Sequence, residues 1–153
     1  LRNFWDQFCS IFPGMAEYLS ASAEQTAAYR FRNKNEGGLL YFRPVALPKL
    51  VKAICETCLR TGKTIENCMQ GYANIEMLIS NNPWIGILWN TRKQTMITSN
   101  KSVISSMLMF IYDDSIFTSK ELDNFKKSYA KALEVRIDQI EEKLVLLKNA
   151  KRQ

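Results

Sequence analysis

Aromatic and arginine side chains alternate at two points of the chain, residues 30–32 and residues 41–43, which read Arg-Phe-Arg and Tyr-Phe-Arg. This composition suits contact with nucleic acid, because aromatic rings stack on bases and guanidinium groups bind phosphate oxygens. Packing in a hydrophobic core is the alternative role for Phe31 and Phe42, and it is the commoner one for such rings.

The positive charge of the chain is concentrated around these two groups. The net charge is +6, and residues 30–63 hold eight basic side chains against two acidic ones. A basic cluster is the electrostatic footprint of a polyanionic partner, although a solvated surface that serves only solubility has the same composition. We predict that this segment contacts nucleic acid through Arg30, Arg32, Lys34, Arg43, Lys49, Lys52, Arg60 and Lys63.

Catalytic patterns are incomplete. The chain has no histidine, and so lacks the usual general base and the commonest metal ligand. Residues 60–64 read Arg-Thr-Gly-Lys-Thr and end like a phosphate-binding P-loop, but Thr57 stands where that motif requires glycine, and a predicted helix precedes it instead of a strand. A helix stop at Gly62 followed by a cap at Thr64 explains these residues. We expect no catalytic residue and no cofactor.

The cysteines raise the question of a metal site. Cys55 and Cys58 form a C-x-x-C pair, and Cys68 follows ten residues later. Structural zinc needs four ligands, and only the distant Cys9 could complete the set. We interpret all four as buried core thiols. Their position within apolar helical patterns, without a secretory signal, indicates a reducing cytoplasm.

Apolar spacing and turn-forming residues predict a mainly α-helical fold. Residues 1–117 are predicted to form a helical domain with a small β-hairpin at about 85–97. A short extended segment is expected at 39–42, and no apolar run is long enough to span a membrane. Helices are predicted to begin near Asn3, Met15, Leu47, Thr64 and Asn100.

Residues 118–153 predict one long amphipathic helix. Thr118 and Glu121 form a capping box at its start. An apolar stripe that follows helical spacing must then be buried, either on the chain's own domain, on a part of the protein that we expect upstream, or in a homo-oligomer. The stripe, and hence the candidate oligomerisation surface, consists of Leu122, Phe125, Tyr129, Leu133, Ile137, Ile140, Leu144 and Leu147.

Several short motifs carry a family resemblance. They are Phe4-Trp5, Tyr41-Phe42-Arg43-Pro44-Val45, Asn82-Pro83-Trp84, Leu88-Trp89-Asn90 and Met96-Ile97 followed by Asn100. In this order and spacing, over residues 1–112, the chain resembles the C-terminal part of DndB-like proteins of the DGQHR-domain family. That family is associated with bacterial DNA modification clusters, such as phosphorothioation and deazaguanine systems. The DGQHR signature itself is not in this sequence, and we expect it upstream, in a longer protein.

The resemblance implies a cytoplasmic, DNA-associated accessory or regulatory role in a bacterial DNA modification or restriction system. DNA and other proteins of the modification cluster would then be its partners. We therefore expect a non-catalytic module that contacts DNA through residues 30–63. Two alternatives stay open: a protein-interaction or oligomerisation module that uses the C-terminal helix, and the helical half of an enzyme whose catalytic part lies upstream.

Overall fold

The computed structural model describes residues 2–21, 31–32 and 36–151. Within these ranges the chain is mainly helical with one short antiparallel hairpin, which confirms the predicted fold class. None of the helices described combines the length and the apolar character that crossing a membrane requires. The elements are α1 (Arg2–Ile11), α2 (Met15–Ser20), a 3-10 turn (Leu40–Phe42), α3 (Leu47–Thr61), α4 (Ile65–Ala73), β1 (Trp89–Asn90), β2 (Thr95–Met96), α5 (Ile104–Tyr112), a 3-10 turn (Asp114–Ile116), α6 (Ser119–Leu133), a 3-10 turn (Ile137–Gln139) and α7 (Ile140–Lys148).

Helix α5 lies at the centre of the fold. All of its residues except Ser106 are buried. A helix that is apolar on every side is stable only when other elements surround it. Helix α3 packs along one side, where the Ser105 hydroxyl donates to the Lys49 carbonyl at 3.0 Å. Helices α4, α6 and α7 also contact α5.

The junction between α3 and α4 is a helix stop followed by a helix cap, as predicted. Gly62 adopts a left-handed conformation (φ 68°), and its N–H donates to the Cys58 carbonyl at 2.9 Å. The Thr64 hydroxyl then accepts from the Asn67 N–H at 3.2 Å. These contacts account for the residues that resemble the end of a P-loop.

The hairpin is shorter than predicted. Trp89 pairs with Met96 and Asn90 with Thr95, whereas residues 85–88, expected to be strand, form a turn. The physical reason is the Trp84 carbonyl, which accepts from the N–H groups of residues 87, 88 and 89 and curls the chain. The Trp84 indole in turn donates to the Glu76 carbonyl at 2.6 Å.

Other element boundaries also differ from the prediction. Residues 40–42, expected to be extended, form a 3-10 turn, and only Leu39 makes a bridge, to Leu78. Helix α5 begins four residues after Asn100. Helix α2 is described as far as Ser20, so the predicted continuation toward residue 28 lies outside the described residues.

The prediction of one long C-terminal helix over 118–153 is wrong, because the segment forms two helices. The capping box at Thr118 and Glu121 is present. Helix α6 ends when Glu134 takes a left-handed conformation (φ 56°) and its N–H bonds to the carbonyls of residues 130 and 131. Helix α7 then folds back against α6, and the Lys126 ammonium lies 2.6 Å from the Glu141 carboxylate.

Gly71 on α4 is required by close packing against α5. A Cβ atom at this position would lie 2.4 Å from Cε2 of the Tyr112 ring. That ring is buried and stacks on Tyr72, with 4.9 Å between the ring centroids. It therefore has little freedom to move aside.

We predict that Gly71→Ala destabilises the chain, because overpacking usually costs about 1–3 kcal/mol. This cost should exceed the gain in helix propensity, which is about 1 kcal/mol. Urea unfolding measures the difference. Gln70→Ala, at the exposed neighbouring position, is the control and should change stability by no more than about 0.5 kcal/mol. A Gly71→Ala chain as stable as the wild type would contradict this packing.

Candidate nucleic-acid interface

The eight basic residues predicted to bind nucleic acid do not share one surface. Arg30 and Lys34 lie outside the described residues. Arg32 and Arg43 lie on either side of the 36–42 segment. The other members, Lys49, Lys52, Arg60 and Lys63, lie on α3 and on the turn that follows it.

Arg32 and Arg43 hold the backbone together. The Arg43 guanidinium donates to the Gly37 carbonyl, at 2.7 Å from Nε, and to the Arg32 carbonyl at 3.3 Å. Arg32 Nε donates to the Phe42 carbonyl at 2.7 Å. Partial burial, and then the nearby Arg32 charge, lower the pKa of Arg43. The guanidinium nitrogens that bond to these carbonyls are among the donors that we predicted would bind phosphate.

The rings beside these arginines pack in the interior. Phe31 and Phe42 stack with 4.6 Å between centroids and 12° between planes. Tyr18 meets Phe42 edge-on at 5.2 Å. Phe42 is buried, so the core role is the one that this ring takes, and it offers no open face to a base.

One face of α3 carries basic side chains at helical spacing. Lys49, Lys52, Glu56 and Arg60 follow one another by three or four residues, which places them on neighbouring turns of one side. The Lys52 ammonium lies 3.4 Å from the Glu56 carboxylate. Arg60 forms a two-pronged pair with Glu121 on α6, at 3.0 and 2.8 Å, and also donates to the Ile116 carbonyl at 3.1 Å.

A polar groove of about 360 Å³ lies between this face, the start of α5 and helix α6. Glu56 and Arg60 line it from α3, and Glu121, the partner of Arg60, lines it from α6. Hydroxyl and amide groups line the other sides, contributed by Ser102, Ser106, Asn124 and Ser128. The groove therefore offers neutral hydrogen-bond donors next to the Arg60–Glu121 ion pair and the Glu56 carboxylate.

The second wall of the groove is also basic. Lys120, Lys127 and Lys131 are exposed on α6. They share a face with Asn124, because their positions differ from it by three, four and seven residues. Lys101, which is also exposed, directly precedes Ser102 in the lining of the groove. Basic groups thus stand on both sides of the polar lining.

Sequence reasoning missed the residues of α5 and α6 that line the groove. A signal was available, since Ser102 and Ser106 are four residues apart, as are Asn124 and Ser128. On helices with an apolar face, polar pairs at this spacing mark a side that no apolar neighbour covers. Their joint position became visible only once α5 and α6 were packed together.

Lys63 lies away from the groove, in a separate pocket. Its ammonium donates to the Tyr112 hydroxyl at 3.3 Å and lies 5.3 Å from the centroid of that ring. The hydrogen bond with Tyr112 raises the pKa of Lys63. Lys151 approaches the same ring, at 5.8 Å from the centroid.

The cysteines form no metal site in the described part of the chain, where no group of three candidate ligands comes together. Cys68 is buried as predicted, but Cys9 and Cys58 are only half-buried. Cys55 is exposed, because it falls on the outer side of α3. Burial, and then a hydrogen bond with Cys68, raise the pKa of Cys58 to about 12. That thiol is therefore protonated at neutral pH and a weak nucleophile.

Most of the apolar stripe that we predicted to mediate oligomerisation is buried by contacts within the chain. Leu122 and Leu133 are half-buried, and Ile137 is 52% exposed. The two-helix fold supplies the partner that a single long helix would have needed from another chain. The buried members of the stripe are Phe125, Tyr129, Ile140, Leu144 and Leu147.

No protein family, curated protein or solved structure matches the chain. The resemblance to DndB-like proteins is therefore a prediction that these comparisons do not test, and the site is interpreted from its own geometry.

We predict that Arg43→Lys lowers the free energy of unfolding by about 1–3 kcal/mol, because a lysine cannot reproduce the contacts with two carbonyls. Thermal or urea unfolding measures the loss. Arg92→Lys, at an exposed position in the hairpin turn, is the matched control and should be neutral. Equal stability of the two variants would show that the Arg43 contacts do not hold the segment.

We also predict a pH effect at Glu121. Its hydrogen bonds, first with Arg60 and then with the Thr118 N–H, lower its pKa from 4.5 to about 2. Because the folded chain holds this carboxylate charged, the resulting stability is complete above about pH 4.5 and is lost as the pH falls toward 2.

In Arg60→Gln, the pKa of Glu121 should rise toward 4.5, and less stability should be lost in this pH range. Carboxyl carbon shifts in an NMR titration report the pKa directly. Arg136→Gln, which breaks an exposed pair with Asp138, is the control. A Glu121 pKa unchanged in Arg60→Gln would rule out the pair as its cause.

Proposed function

We propose that the chain is a non-catalytic DNA-associated module that contacts the phosphate backbone along the groove between α3 and α6. The observation that supports this best is that hydroxyl and amide groups line the groove, with Arg60, held by Glu121, on one side and exposed lysines of α6 beside the other. Half to two-thirds of protein–DNA hydrogen bonds go to phosphate and sugar, from these same side-chain types.

The two walls would have different roles. Arg60 is held by Glu121 and by a backbone carbonyl, so its position is fixed before any ligand arrives. Lys127 and Lys131 are exposed on the opposite wall. Long lysine side chains can follow a phosphate backbone as mobile point charges, while the serine and asparagine groups fix its register.

The proposed interface overlaps only partly with the basic segment, residues 30–63, that the sequence indicated. Lys52 and Arg60 stay in it, and α6 supplies the second wall. Arg32 and Arg43 are given a structural role instead, because three of their guanidinium nitrogens bond to backbone carbonyls. Contacts of this kind read charge and spacing more than base sequence.

We further propose a role in a DNA modification or restriction system, with other proteins of such a cluster as partners. This part rests only on the resemblance to DndB-like proteins. The groove supports contact with a polyanion and carries no base-specific feature. An upstream catalytic part is compatible with this role, since the groove would then hold DNA for it.

We predict that the chain binds duplex DNA with an affinity that falls steeply with salt, and that Lys127→Glu weakens binding. Loss of one phosphate contact should lower the slope of log affinity against log salt by about 1. Fluorescence anisotropy of a labelled duplex at several salt concentrations measures both quantities.

Lys143→Glu is the matched control, because it reverses the same charge at an exposed position on α7, away from the groove. Two unrelated duplexes should bind alike. The proposal fails if binding does not depend on salt, or if Lys127→Glu and Lys143→Glu weaken it equally.

A further inference from the structure

The pocket that contains Lys63 is separate from the groove and has its own chemistry. It has a volume of about 310 Å³ and is lined by Lys63, Gly71, Asn74, Tyr112, Asp113 and Lys151. These residues come from the turn after α3, from α4 and its end, from the end of α5, and from the segment after α7. The volume is at the small end of ligand pockets, which run from roughly 300 to 1,000 Å³.

Two ammonium groups converge on the Tyr112 ring. Lys63 and Lys151 lie 5.3 and 5.8 Å from its centroid. Lys63 also donates to the Tyr112 hydroxyl, and Lys151 donates to the Tyr112 backbone carbonyl. An ammonium has three N–H donors and no acceptor, so each lysine retains donors for a ligand after the contact it makes here.

The acidic group among the described lining residues is already engaged. The Asp113 carboxylate accepts from the N–H of Ser115 at 3.0 Å and from its hydroxyl at 2.6 Å. The hydrogen bond from the Ser115 side chain is the main cause of its lowered pKa, so it carries a full charge. Two cations against one anion leave the pocket with a net positive charge.

The pocket is held rigidly by its neighbours. The Tyr112 ring packs on Gly71, where a side chain would collide with it, and stacks on Tyr72. The Tyr72 hydroxyl is itself bonded to Thr57 and to the Ala53 carbonyl. The C-terminal segment is fixed by a bridge between Ile75 and Lys151 and by the Glu76 N–H, which donates to the Ala150 carbonyl at 3.1 Å.

We infer that this pocket binds an oxyanion, a phosphate group, between Lys63 and Lys151. The lysines supply the two charges and the strong donors, since lysine binds phosphate as a point charge. The Tyr112 hydroxyl and the Asn74 amide lie beside them as neutral partners. A phosphate group presents more acceptor oxygens to these four groups than a carboxylate does, and its negative charge offsets the net positive charge of the pocket. The site does not depend on the proposed DNA groove.

The test is an NMR titration of the full chain with inorganic phosphate at constant ionic strength. The amide signals of Gly71 and Asn74 should shift and saturate, and acetate should produce no saturating shift. Lys63→Gln and Lys151→Gln should each weaken binding about tenfold or more, which is the effect of losing one charge-assisted hydrogen bond. Lys143→Gln, exposed on α7, should bind as the wild type does.

Tyr112→Phe gives a second measurement that leaves the packed ring in place. It removes only the hydroxyl and should weaken phosphate binding less than either lysine variant. Shifts that do not saturate, or saturating shifts that are the same in the wild type and in Lys63→Gln and Lys151→Gln, would overturn the site.

Two sources of the phosphate can be distinguished in the same titration. Displacement of inorganic phosphate by a 5′-phosphorylated oligonucleotide, but not by its 5′-hydroxyl form, would assign the pocket to a nucleic-acid end. Displacement by neither would assign it to a small phosphate. Both results support the oxyanion site. Lys127→Glu should leave inorganic phosphate binding intact, so failure of the groove and failure of the pocket give different results.

Discussion

The arrangement of the fold depends on the burial of helix α5. Apart from two serines near its start its side chains are large and apolar or aromatic, so exposing the helix to water would cost free energy on most of its surface. Helices α3, α4, α6 and α7 all contact it. The groove and the Tyr112 pocket lie at two of the places where these helices do not quite meet. Both candidate sites are thus consequences of how a central apolar helix is enclosed.

Each of the two sites is shaped by particular residues at the contacts between α5 and the helices around it. Ser106, the residue of α5 that escapes full burial, opens toward the groove. Tyr112, at the opposite end of the same helix, carries its hydroxyl to the other pocket. Gly71 lets α4 approach closely enough for that ring to be enclosed on one side. One helix therefore connects two chemically different surfaces.

The sequence was most informative where a local contact decides the conformation. The Gly62 stop, the Thr64 cap and the capping box at Thr118 each depend on atoms a few residues apart, and all three are present. The break at Glu134 could not be predicted from helical spacing, because a non-glycine residue rarely adopts a positive φ and tertiary packing supplies the reason. The role of Arg43 was hidden too, since guanidinium donors suit carbonyls and phosphates alike. The residues of the groove come from three helices, and their convergence is a property of packing.

The turn at Glu134 also affects the entropy of chain closure. Lys126 and Glu141, which pair across α6 and α7, are 15 residues apart, whereas the bond between Ser105 and Lys49 joins residues 56 apart. The cost of closing a flexible loop grows with the logarithm of its length, so the first contact costs roughly 1 kcal/mol less than the second. The two walls of one groove are therefore assembled at different entropic cost. The wall on α6 belongs to the hairpin of α6 and α7, whose contacts are close in sequence. The wall on α3 is positioned only when α5, whose Ser105 lies 56 residues after Lys49, packs against α3.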